Sequence, residues 1–283
     1  MGRKARHHRK RLFERVVVYG ILVLTCVFSI FPILWALSTS LKASPDVVRY
    51  PPNWIPNPIS LEHYDQVLGG SHMPRYFLNS VLVGLATILL TLVVASHGAY
   101  AAARYEFPAK NFLLFLVLAT VMIPGIAVLV PLYMIMSQVG LHDTYWSLIL
   151  IYSAWQVPTV LWLMRGFFES IPRDLEEAAL IDGCGPAQAF YRVIAPLTRP
   201  GLAASAVVVF VYVWNEFIIA LTMTASDEMR LVPVGLYYYI SAWGVEWGKL
   251  MAAVSVALLP AIILFVVLQR NFIQGLTSGA TKG

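Results

Sequence analysis

The segment that decides the architecture of this chain is residues 174–201, "DLEEAALIDGCGPAQAFYRVIAPLTRPG". It lies between two long apolar runs, in a chain of 283 residues that is 59% hydrophobic and only 12% charged. Four carboxylates make it the most acidic part of the sequence: Asp174, Glu176, Glu177 and Asp182. An acidic segment in so apolar a chain indicates a surface that meets water beside a membrane, because the whole is too hydrophobic for one soluble core.

Six apolar runs have the length of a membrane-crossing helix, which needs about 20 residues. The runs are Val16–Leu41, Tyr76–Ala103, Asn111–His142, Thr144–Met164, Pro200–Leu221 and Leu250–Gln269. The third is longer than one span requires, so its far end is expected to leave the membrane near Pro131–Gly140. The first is too long for a cleavable signal peptide, and no small-x-small site follows it. The sequence therefore predicts an all-α, polytopic membrane protein with six transmembrane helices, forming a single domain over residues 1–283.

The distribution of basic residues predicts the orientation of these spans. The alternate segments that begin with the N-terminus contain fifteen of the 20 Lys and Arg residues, and the other segments contain five. The first set consists of 1–15, 104–110, 165–199 and 270–283, and the second of 42–75, 136–144 and 222–249. Because positive charge favours the cytoplasmic side, both termini and the acidic segment are expected there. The basic arm, residues 1–15, then contacts lipid headgroups, and its position argues against nucleic-acid binding.

The acidic segment has the pattern of two short helices. Asp174 and Glu177 have the spacing of an N-cap and its capping-box partner, which predicts a helix from about Leu175 to Ile181. Gly183 suits the left-handed residue that follows a helix, where a side chain costs free energy.

Pro186 suits the first turn of the second helix, since its missing N–H would have no partner there. Phe190, Val193 and Ile194 then share one helical face, and Pro196 and Pro200 are expected to end the helix and open the next span. This pattern alone leaves two interpretations open. The small pair Ala178 and Ala179, beside carboxylates, offers a docking surface for a basic partner; alternatively, these residues only cap and form helices that rest on lipid.

The residues "EAALIDG", followed after nine residues by "VIAP", resemble the EAA motif of the membrane subunits of binding-protein-dependent ABC importers. Ala195 departs from the family pattern, which usually has Leu before the proline, and Cys184 replaces a common Ala. The residues that match are Glu177, Ala178, Ala179, Asp182, Gly183, Phe190, Val193 and Pro196.

The resemblance extends over most of the chain and is strongest to the carbohydrate-uptake branch, including the second membrane subunit of the maltose importer. It implies a permease core over residues 76–270, an EAA coupling loop over 172–200 and a cytoplasmic tail over 270–283. We call residues 172–200 the EAA segment. In the family it sits in a cleft of the nucleotide-binding subunit, so the resemblance implies ATPase-coupling residues here, namely Glu176, Glu177, Ala178, Ala179, Asp182, Gly183, Phe190 and Pro196.

The partners implied by the resemblance are a second, homologous permease, two ATP-binding subunits and an extracytoplasmic sugar-binding protein, in a bacterial cytoplasmic membrane. The chain contains no G-x-x-x-x-G-K-[ST] sequence that would cradle a phosphate. ATP and Mg²⁺ would therefore be bound by the partner subunits, and no cofactor, metal or catalytic residue is expected in this chain. Cys26 and Cys184 are far apart and have no Cys or His at metal-ligand spacing, which argues against a disulfide framework or a zinc site.

A second candidate position lies within the fifth apolar run. An ionisable residue in a span is a functional candidate, which singles out Glu216 and its neighbours Trp214 and Asn215 as gate or pathway residues. Glu216 is expected close to the outer interface, with Trp214 in the interfacial belt. His97, in the second run, is expected to be a hydrogen-bonded interior residue. The outer loop, residues 222–249, is rich in Tyr and Trp, which suit contact with a sugar or a delivery protein as well as interface anchoring.

The sequence leaves two other classes of protein open. A secondary transporter driven by an ion gradient would need several intramembrane carboxylates or broken helices in two repeated halves, and Glu216 is the only such carboxylate in the sequence. A membrane-embedded glycosyltransferase would need acidic or His residues that converge at one membrane face, for which the acidic segment is the only candidate. The sequence does not identify which sugar would be carried.

Overall fold

The computed structural model describes the backbone of residues 2–241 and 244–280, and the side chains of 13–241 and 244–269. The two-residue strands β1 (Ile240–Ser241) and β2 (Gly244–Val245) pair antiparallel, and every other regular element in these described ranges is helical. The helices are α1 (Gly2–Ser40), α2 (Ser44–Val47), α3 (Glu62–Leu68), α4 (Met73–Arg104), α5 (Lys110–Thr120), α6 (Gly125–Gln138), α7 (Tyr145–Ser170), α8 (Asp174–Ile181), α9 (Pro186–Ala189), a π-helix (Phe190–Ile194), α10 (Ala195–Leu197), α11 (Arg199–Asn215), α12 (Ile218–Met223), α13 (Val232–Tyr237) and α14 (Trp247–Ala280).

Within the described residues, four helical stretches are long and apolar enough to cross a bilayer: Phe13–Ser40, Met73–Arg104, Tyr145–Ser170 and Trp247–Gln269. Two sharply bent helix pairs raise the number of candidate spans to six. α5 and α6 meet at 94°, and the helical stretch Pro186–Leu197 meets α11 at 74°. The all-α, polytopic prediction is confirmed. The predictions for the basic arm and the C-terminal tail lie outside the described side chains, apart from residues 13–15.

The third predicted span is bent within its length, which its sequence pattern did not indicate. The chain turns at 121–124, between α5 and α6, and α6 then ends at Gln138, so the exit of the span near Pro131–Gly140 stays a prediction. Pro131 lies inside α6, whereas Pro124 has the extended backbone of the residue before a helix. A proline pushes the residue before it out of helical geometry, so Ile123–Pro124 is a natural breaking point. Pro131 is tolerated because a kink in an apolar helix can be satisfied by its surroundings.

The chain folds as two compact units. The first runs to Ser71 and includes Tyr239–Val256; the second is His72–Tyr238 together with the chain from Ala257. The single-domain assignment stays a prediction. In the second unit, α4, α7 and α11 enclose the core, whose fully buried members include Val83, Leu148, Tyr152, Phe168 and Val209.

The apolar surface that remains outside this core is large. None of the most apolar window of α1 is buried, compared with 61% of that of α7. Soluble monomers rarely expose apolar patches of this extent, so these helices require lipid or other membrane subunits around them. α7 leads through residues 171–173 directly into α8, which is how the core positions the EAA segment.

Candidate functional site

The first helix of the EAA segment begins one residue earlier than predicted. α8 runs from Asp174 to Ile181, and its N-cap is Arg173, whose carbonyl accepts hydrogen bonds from the N–H groups of Glu176 (2.9 Å) and Glu177 (3.0 Å). No side chain caps this end, so the predicted capping box is wrong. The acidic residues of the first turn favour the helix through their charge, which the positive end of the helix dipole attracts.

The end of α8 confirms the prediction for Gly183, which has φ +89°. The N–H of Gly183 bonds the carbonyl of Leu180 (3.1 Å), and the N–H of Cys184 bonds that of Ala179 (3.0 Å). This pair of bonds is a Schellman motif, which satisfies helix-end carbonyls only if the intervening residue is left-handed. The bend of the EAA segment is therefore set by the backbone of one glycine.

Gly183→Ala is expected to destabilise this bend by about 1 kcal/mol, because a Cβ in left-handed geometry is strained although no atom lies within 4 Å of it. Gly185→Ala is the matched control, since Gly185 is two residues away, has φ −72° and is equally free of neighbours. Thermal unfolding of the two purified variants should show a lower Tm for Gly183→Ala alone. Equal Tm values for the two variants would show that the left-handed backbone of Gly183 does not make a Cβ costly at this position.

The second half of the EAA segment is one helical stretch that changes type. Pro186 begins α9, as predicted, and the π-helix and α10 continue it to Leu197. The stretch ends at Leu197 and the turn toward α11 comes at Thr198, between Pro196 and Pro200, which agrees with the predicted end. Pro200 stands in the first turn of α11, where its missing N–H costs little.

The predicted apolar face of this stretch is confirmed, since Phe190 and Ile194 are buried and Val193 is half-buried. The Phe190 ring packs against two aromatic side chains of α4 and α7, with ring-centre distances of 4.6 Å to Tyr100 and 6.1 Å to Phe168. Such aromatic clusters favour tilted and edge-on geometries that hold rings in place. Phe190 therefore fastens the EAA segment to the helical core and does not face outward.

A buried ion pair forms the second attachment of the EAA segment. The Glu176 carboxylate lies 3.0 Å from Nε of Arg104, at the end of α4, and accepts a hydrogen bond from the hydroxyl of Tyr100. The side chains of Arg104 and Glu176 are only 5% and 15% exposed. Arg104 also donates to the carbonyl of Ile171, just before α8 (3.0 Å). The Arg104 Nε–H does not have hydrogen-bond geometry toward the carboxylate, so the contact is a close ion pair, which water screens little at this burial.

The remaining predicted residues divide by direction. Glu177, Ala178, Asp182 and Gly183 are exposed, Pro196 is half-buried, and Ala179 is buried. The predicted ATPase-coupling residues therefore lie on two different faces of the EAA segment. One face is exposed and the other is turned toward the helical core. The sequence analysis did not identify Tyr100 and Arg104, which precede Glu176 by more than 70 positions. The sequence feature that could have indicated one of them is the place of Arg104 at the end of an apolar run.

Glu216 lies at the break between α11 and α12. Its carboxylate accepts hydrogen bonds from the N–H groups of Ile219 (2.9 Å) and Ala220 (3.1 Å), and from the hydroxyl of buried Tyr152 (2.9 Å). The side chain therefore caps the first turn of α12. These contacts give Glu216 a structural role at the break; whether the region also forms a gate or pathway stays a prediction.

The neighbours of Glu216 differ from expectation. Trp214 is buried and stacks on Phe210 with ring centres 5.1 Å apart, so its assignment to an interfacial belt is wrong. Asn215 is exposed and donates to the carbonyl of Val211 (2.8 Å). His97 is hydrogen-bonded, to Val93 and to Tyr191, but its side chain is exposed and not interior.

The outer loop is fastened to the start of α4 by a network that the sequence did not predict. The Asn79 amide donates to the carbonyls of Glu228 (2.8 Å) and Arg230 (2.9 Å) and accepts from the hydroxyl of Tyr145 (2.7 Å). A buried amide with all these partners holds the loop in one conformation.

Within the described residues, no group of three or more His, Cys, Asp and Glu side chains has the arrangement of a metal site.

The same loop is held by Asp143, whose carboxylate accepts from the backbone N–H groups of Ala225 (2.8 Å) and Ser226 (3.1 Å). Burial alone would raise the pKa of Asp143, but these hydrogen bonds and the nearby His142 outweigh it and lower the pKa below its ordinary value. Because the folded pKa is the lower one, this tether contributes fully above the unfolded pKa of about 3.9 and is lost as the pH falls through the folded pKa.

We therefore expect hydrogen exchange at residues 225 and 226, corrected for intrinsic rates, to stay protected from neutral pH down to about pH 4 and to lose protection below it. Asp143→Ala should lack that protection at every pH. Protection in Asp143→Ala equal to that of the unmodified chain would show that the carboxylate does not hold the loop.

Comparison with known proteins places these features in context. Residues 94–278 match the family described as "Binding-protein-dependent transport system inner membrane component". The chain is 35% identical to the trehalose transport system permease protein SugB of Mycobacterium tuberculosis, over 95% of this chain and 99% of that protein. It is 34% identical to the diacetylchitobiose uptake system permease protein DasC of Streptomyces coelicolor, over 97% of this chain and the whole of that protein.

Among solved structures, the chain resembles a crystal structure of a bacterial ABC transporter involved in the import of the acidic polysaccharide alginate. The TM-score is 0.81 over 93% of this chain and 98% of the other, at 22% identity. At that identity the likeness concerns the fold alone.

Proposed function

This chain belongs to the family of binding-protein-dependent transport system inner membrane components, and from that premise we propose that it forms half of the translocation pathway of an ATP-driven sugar importer. Members of this family are transport subunits, so the chain is not itself an enzyme. We place it in a bacterial cytoplasmic membrane with both termini in the cytoplasm, which is the orientation that its basic residues favour.

The observation that carries the proposal is the division of the EAA segment into an anchored face and an exposed face. Phe190 and the Glu176–Arg104 pair join the segment to α4, while Glu177, Ala178 and Asp182 point away from the core. A docked element that is rigidly joined to spans passes on motion as a rigid body. The exposed carboxylates, beside small side chains that permit close approach, suit basic groups on a partner.

We propose that the partner at this face is an ATP-binding subunit, two copies of which bind ATP and Mg²⁺ for the whole complex. A second, homologous permease would complete the pathway, and the unburied apolar surface of α1 supports a requirement for membrane neighbours. A binding protein outside the cell would deliver the cargo; a bacterial alginate ABC transporter of similar fold, at 14% identity and a TM-score of 0.63, has been solved with a periplasmic protein bound to an alginate pentasaccharide.

We propose a saccharide as the cargo because two relatives of nearly full coverage are named for sugar uptake, one for trehalose and one for diacetylchitobiose. Glu216 is the acidic residue that the sequence singled out as a candidate for ion coupling. Within the described residues, its carboxylate caps the first turn of α12. That observation favours ATP over an ion gradient as the energy source.

The test is uptake by the assembled complex in proteoliposomes supplied with the binding protein. Labelled maltose, trehalose and diacetylchitobiose would be offered in turn, with ATP inside the vesicles. We expect accumulation of at least one sugar that requires hydrolysable ATP and persists when ion gradients are collapsed by ionophores. Accumulation that follows an imposed proton or sodium gradient without ATP would contradict the proposal in favour of a secondary transporter, and uptake of none would contradict the sugar assignment.

A further inference from the structure

One contact between the EAA segment and α4 is not used by the function proposed above. It joins His97, on α4, to Tyr191, the second residue of the π-helix. The hydroxyl of Tyr191 lies 2.8 Å from Nε2 of His97, and the two rings meet edge-on with their centres 5.8 Å apart. Both side chains are exposed, so burial alone does not force them together.

The other ring nitrogen of His97 decides which of the two side chains donates. Nδ1 lies 2.7 Å from the carbonyl oxygen of Val93, one turn earlier on α4. A carbonyl oxygen can only accept, so Nδ1 carries the proton and Nε2 of the neutral ring is an acceptor. The O–H of Tyr191 is therefore the donor. α4 thus holds this imidazole in one tautomer and one orientation, in which it accepts a hydrogen bond from the EAA segment.

The π-helix is what brings Tyr191 to α4. A π-helix closes i→i+5 hydrogen bonds, so each turn contains more residues than a turn of α-helix, and consecutive side chains point closer together. Phe190 and Tyr191 both reach His97 in this way, with ring-centre distances of 5.1 and 5.8 Å. Turns of this kind are rare and are frequent at functional sites. Here the turn places a hydrogen-bonding ring beside an apolar one against the same span.

The attachments of the EAA segment follow one face of α4. His97, Tyr100 and Arg104 are spaced i, i+3 and i+7, which aligns them along the helix. Arg104 and Tyr100 hold Glu176, in the first half of the segment. His97 holds Tyr191, in the second half. At 1.5 Å per residue, His97 and Arg104 are about 10 Å apart along α4.

We propose that His97 and Tyr191 are positioning residues for ATP-driven transport, which make α4 follow the EAA segment when that segment turns; the inference rests on the proposed function. A body held at one point can pivot about it, whereas a body held at two points about 10 Å apart passes on rotation as well as translation. With both contacts, rotation of the EAA segment tilts α4. With the Glu176–Arg104 pair alone, the segment turns and leaves α4 behind.

The experiment uses the assembled complex in proteoliposomes with the binding protein. Its probe is the labelled sugar that the uptake assay identifies among maltose, trehalose and diacetylchitobiose. Sugar imported and ATP hydrolysed are measured in the same vesicles for the unmodified complex, Tyr191→Phe and His97→Phe. Each substitution keeps an aromatic ring and removes one partner of the hydrogen bond. The readout is the ratio of sugar imported to ATP hydrolysed, because a loss of stability or assembly alone lowers both quantities together.

Tyr133→Phe is the matched control. Tyr133 also meets a histidine ring edge-on, that of His142, with ring centres 4.9 Å apart. Among the described residues, however, the Nε2 of His142 lies 3.3 Å from the carbonyl oxygen of Thr222, and the Tyr133 hydroxyl is not its partner. Tyr133→Phe therefore removes a phenol hydroxyl beside a histidine without breaking a hydrogen bond between the two. Its ratio of sugar to ATP should equal that of the unmodified complex.

We expect this ratio to fall by about threefold or more in Tyr191→Phe and in His97→Phe, which is the size of change in an equilibrium that one hydrogen bond produces. ATPase activity and the amount of co-purified ATP-binding subunit should stay near normal. The double variant should be no worse than either single variant, because both remove the same contact. His97→Gln keeps an acceptor at similar reach and should recover part of the ratio.

An unchanged ratio in both variants overturns the proposal, as does an equal fall in Tyr133→Phe. A parallel fall of uptake and ATP hydrolysis also overturns it, since the contact would then act on stability or assembly and not on the transfer of motion. ATP-driven uptake by the unmodified complex, with unchanged ratios in the variants, refutes this inference alone. Absence of ATP-driven uptake by the unmodified complex refutes the proposed function and this inference with it.

Discussion

Glu177→Lys is expected to lower ATP-driven uptake by roughly tenfold or more, because like charges across an interface repel each other and slow association. Glu177 is exposed on the outward face of α8, where a lysine can be solvated, so the chain itself should still fold and insert. The measurement is sugar uptake in proteoliposomes, together with ATPase activity and the amount of ATP-binding subunit that co-purifies.

The matched control is Glu106→Lys, which reverses another exposed carboxylate in the segment before α5, also on the predicted cytoplasmic side. Among the described residues, Glu106 forms an ion pair with Lys110 of its own segment (2.9 Å), and its charge also interacts with Arg173, which precedes α8. Uptake should remain near normal in this variant. If both variants lost uptake equally, the loss would reflect general surface charge; if neither did, α8 would not be the docking face at Glu177.

Arg104→Met is expected to destabilise the attachment of the EAA segment by about 3–5 kcal/mol, because it leaves the largely buried Glu176 carboxylate without its partner. The predicted result in the complex is separation of ATP hydrolysis from uptake, since the segment could then move without moving α4. Hydrogen exchange over residues 174–197 should increase in parallel. The double variant Arg104→Met, Glu176→Leu should recover much of the stability, as a buried ion pair can often be replaced by apolar side chains.

Arg165→Met provides the comparison for this prediction. Arg165 and Glu169 both lie on α7 and form an ion pair (2.7 Å). Unlike the Glu176–Arg104 pair, both side chains are partly exposed, at 24% and 47%. Pairs of this kind contribute about 0.3–0.5 kcal/mol, so its loss should leave uptake and exchange nearly unchanged. Equal effects of Arg104→Met and Arg165→Met, or no recovery in the double variant, would refute the role of the Glu176–Arg104 pair as an attachment.

These two predictions separate neighbouring carboxylates that look alike in the sequence. Glu176 and Glu177 both follow Asp174 in an acidic run, and the resemblance to the EAA motif assigned both to partner contact. Consecutive residues of a helix point about 100° apart, so one of two neighbours can face the core while the other faces out. Which one does so depends on where α8 lies against α4, and that is a property of the packed structure.

Local chemistry was sufficient for other features. The run lengths predicted the helical membrane class, Gly183 predicted the left-handed end of α8, and Pro186 predicted the start of the next helix. Each of these follows from a constraint within a few residues of chain: the length of an apolar run, the cost of a Cβ, or a missing N–H. The bend at 121–124 in the third run was not predicted, because the run contains two prolines and only the surrounding contacts decide which of them is tolerated inside a helix.

What the sequence determined by itself is therefore the kind of chain this is: a helical membrane protein with a bent, acidic two-helix segment between two spans. The tertiary structure alone decided which residues of that segment face outward, that Arg104 and Tyr100 hold Glu176, and that Tyr191 reaches His97 across 94 positions. The physical reason is range. Helix length, capping and turn geometry depend on near neighbours, whereas buried ion pairs and hydrogen bonds between helices depend on residues that only folding brings together.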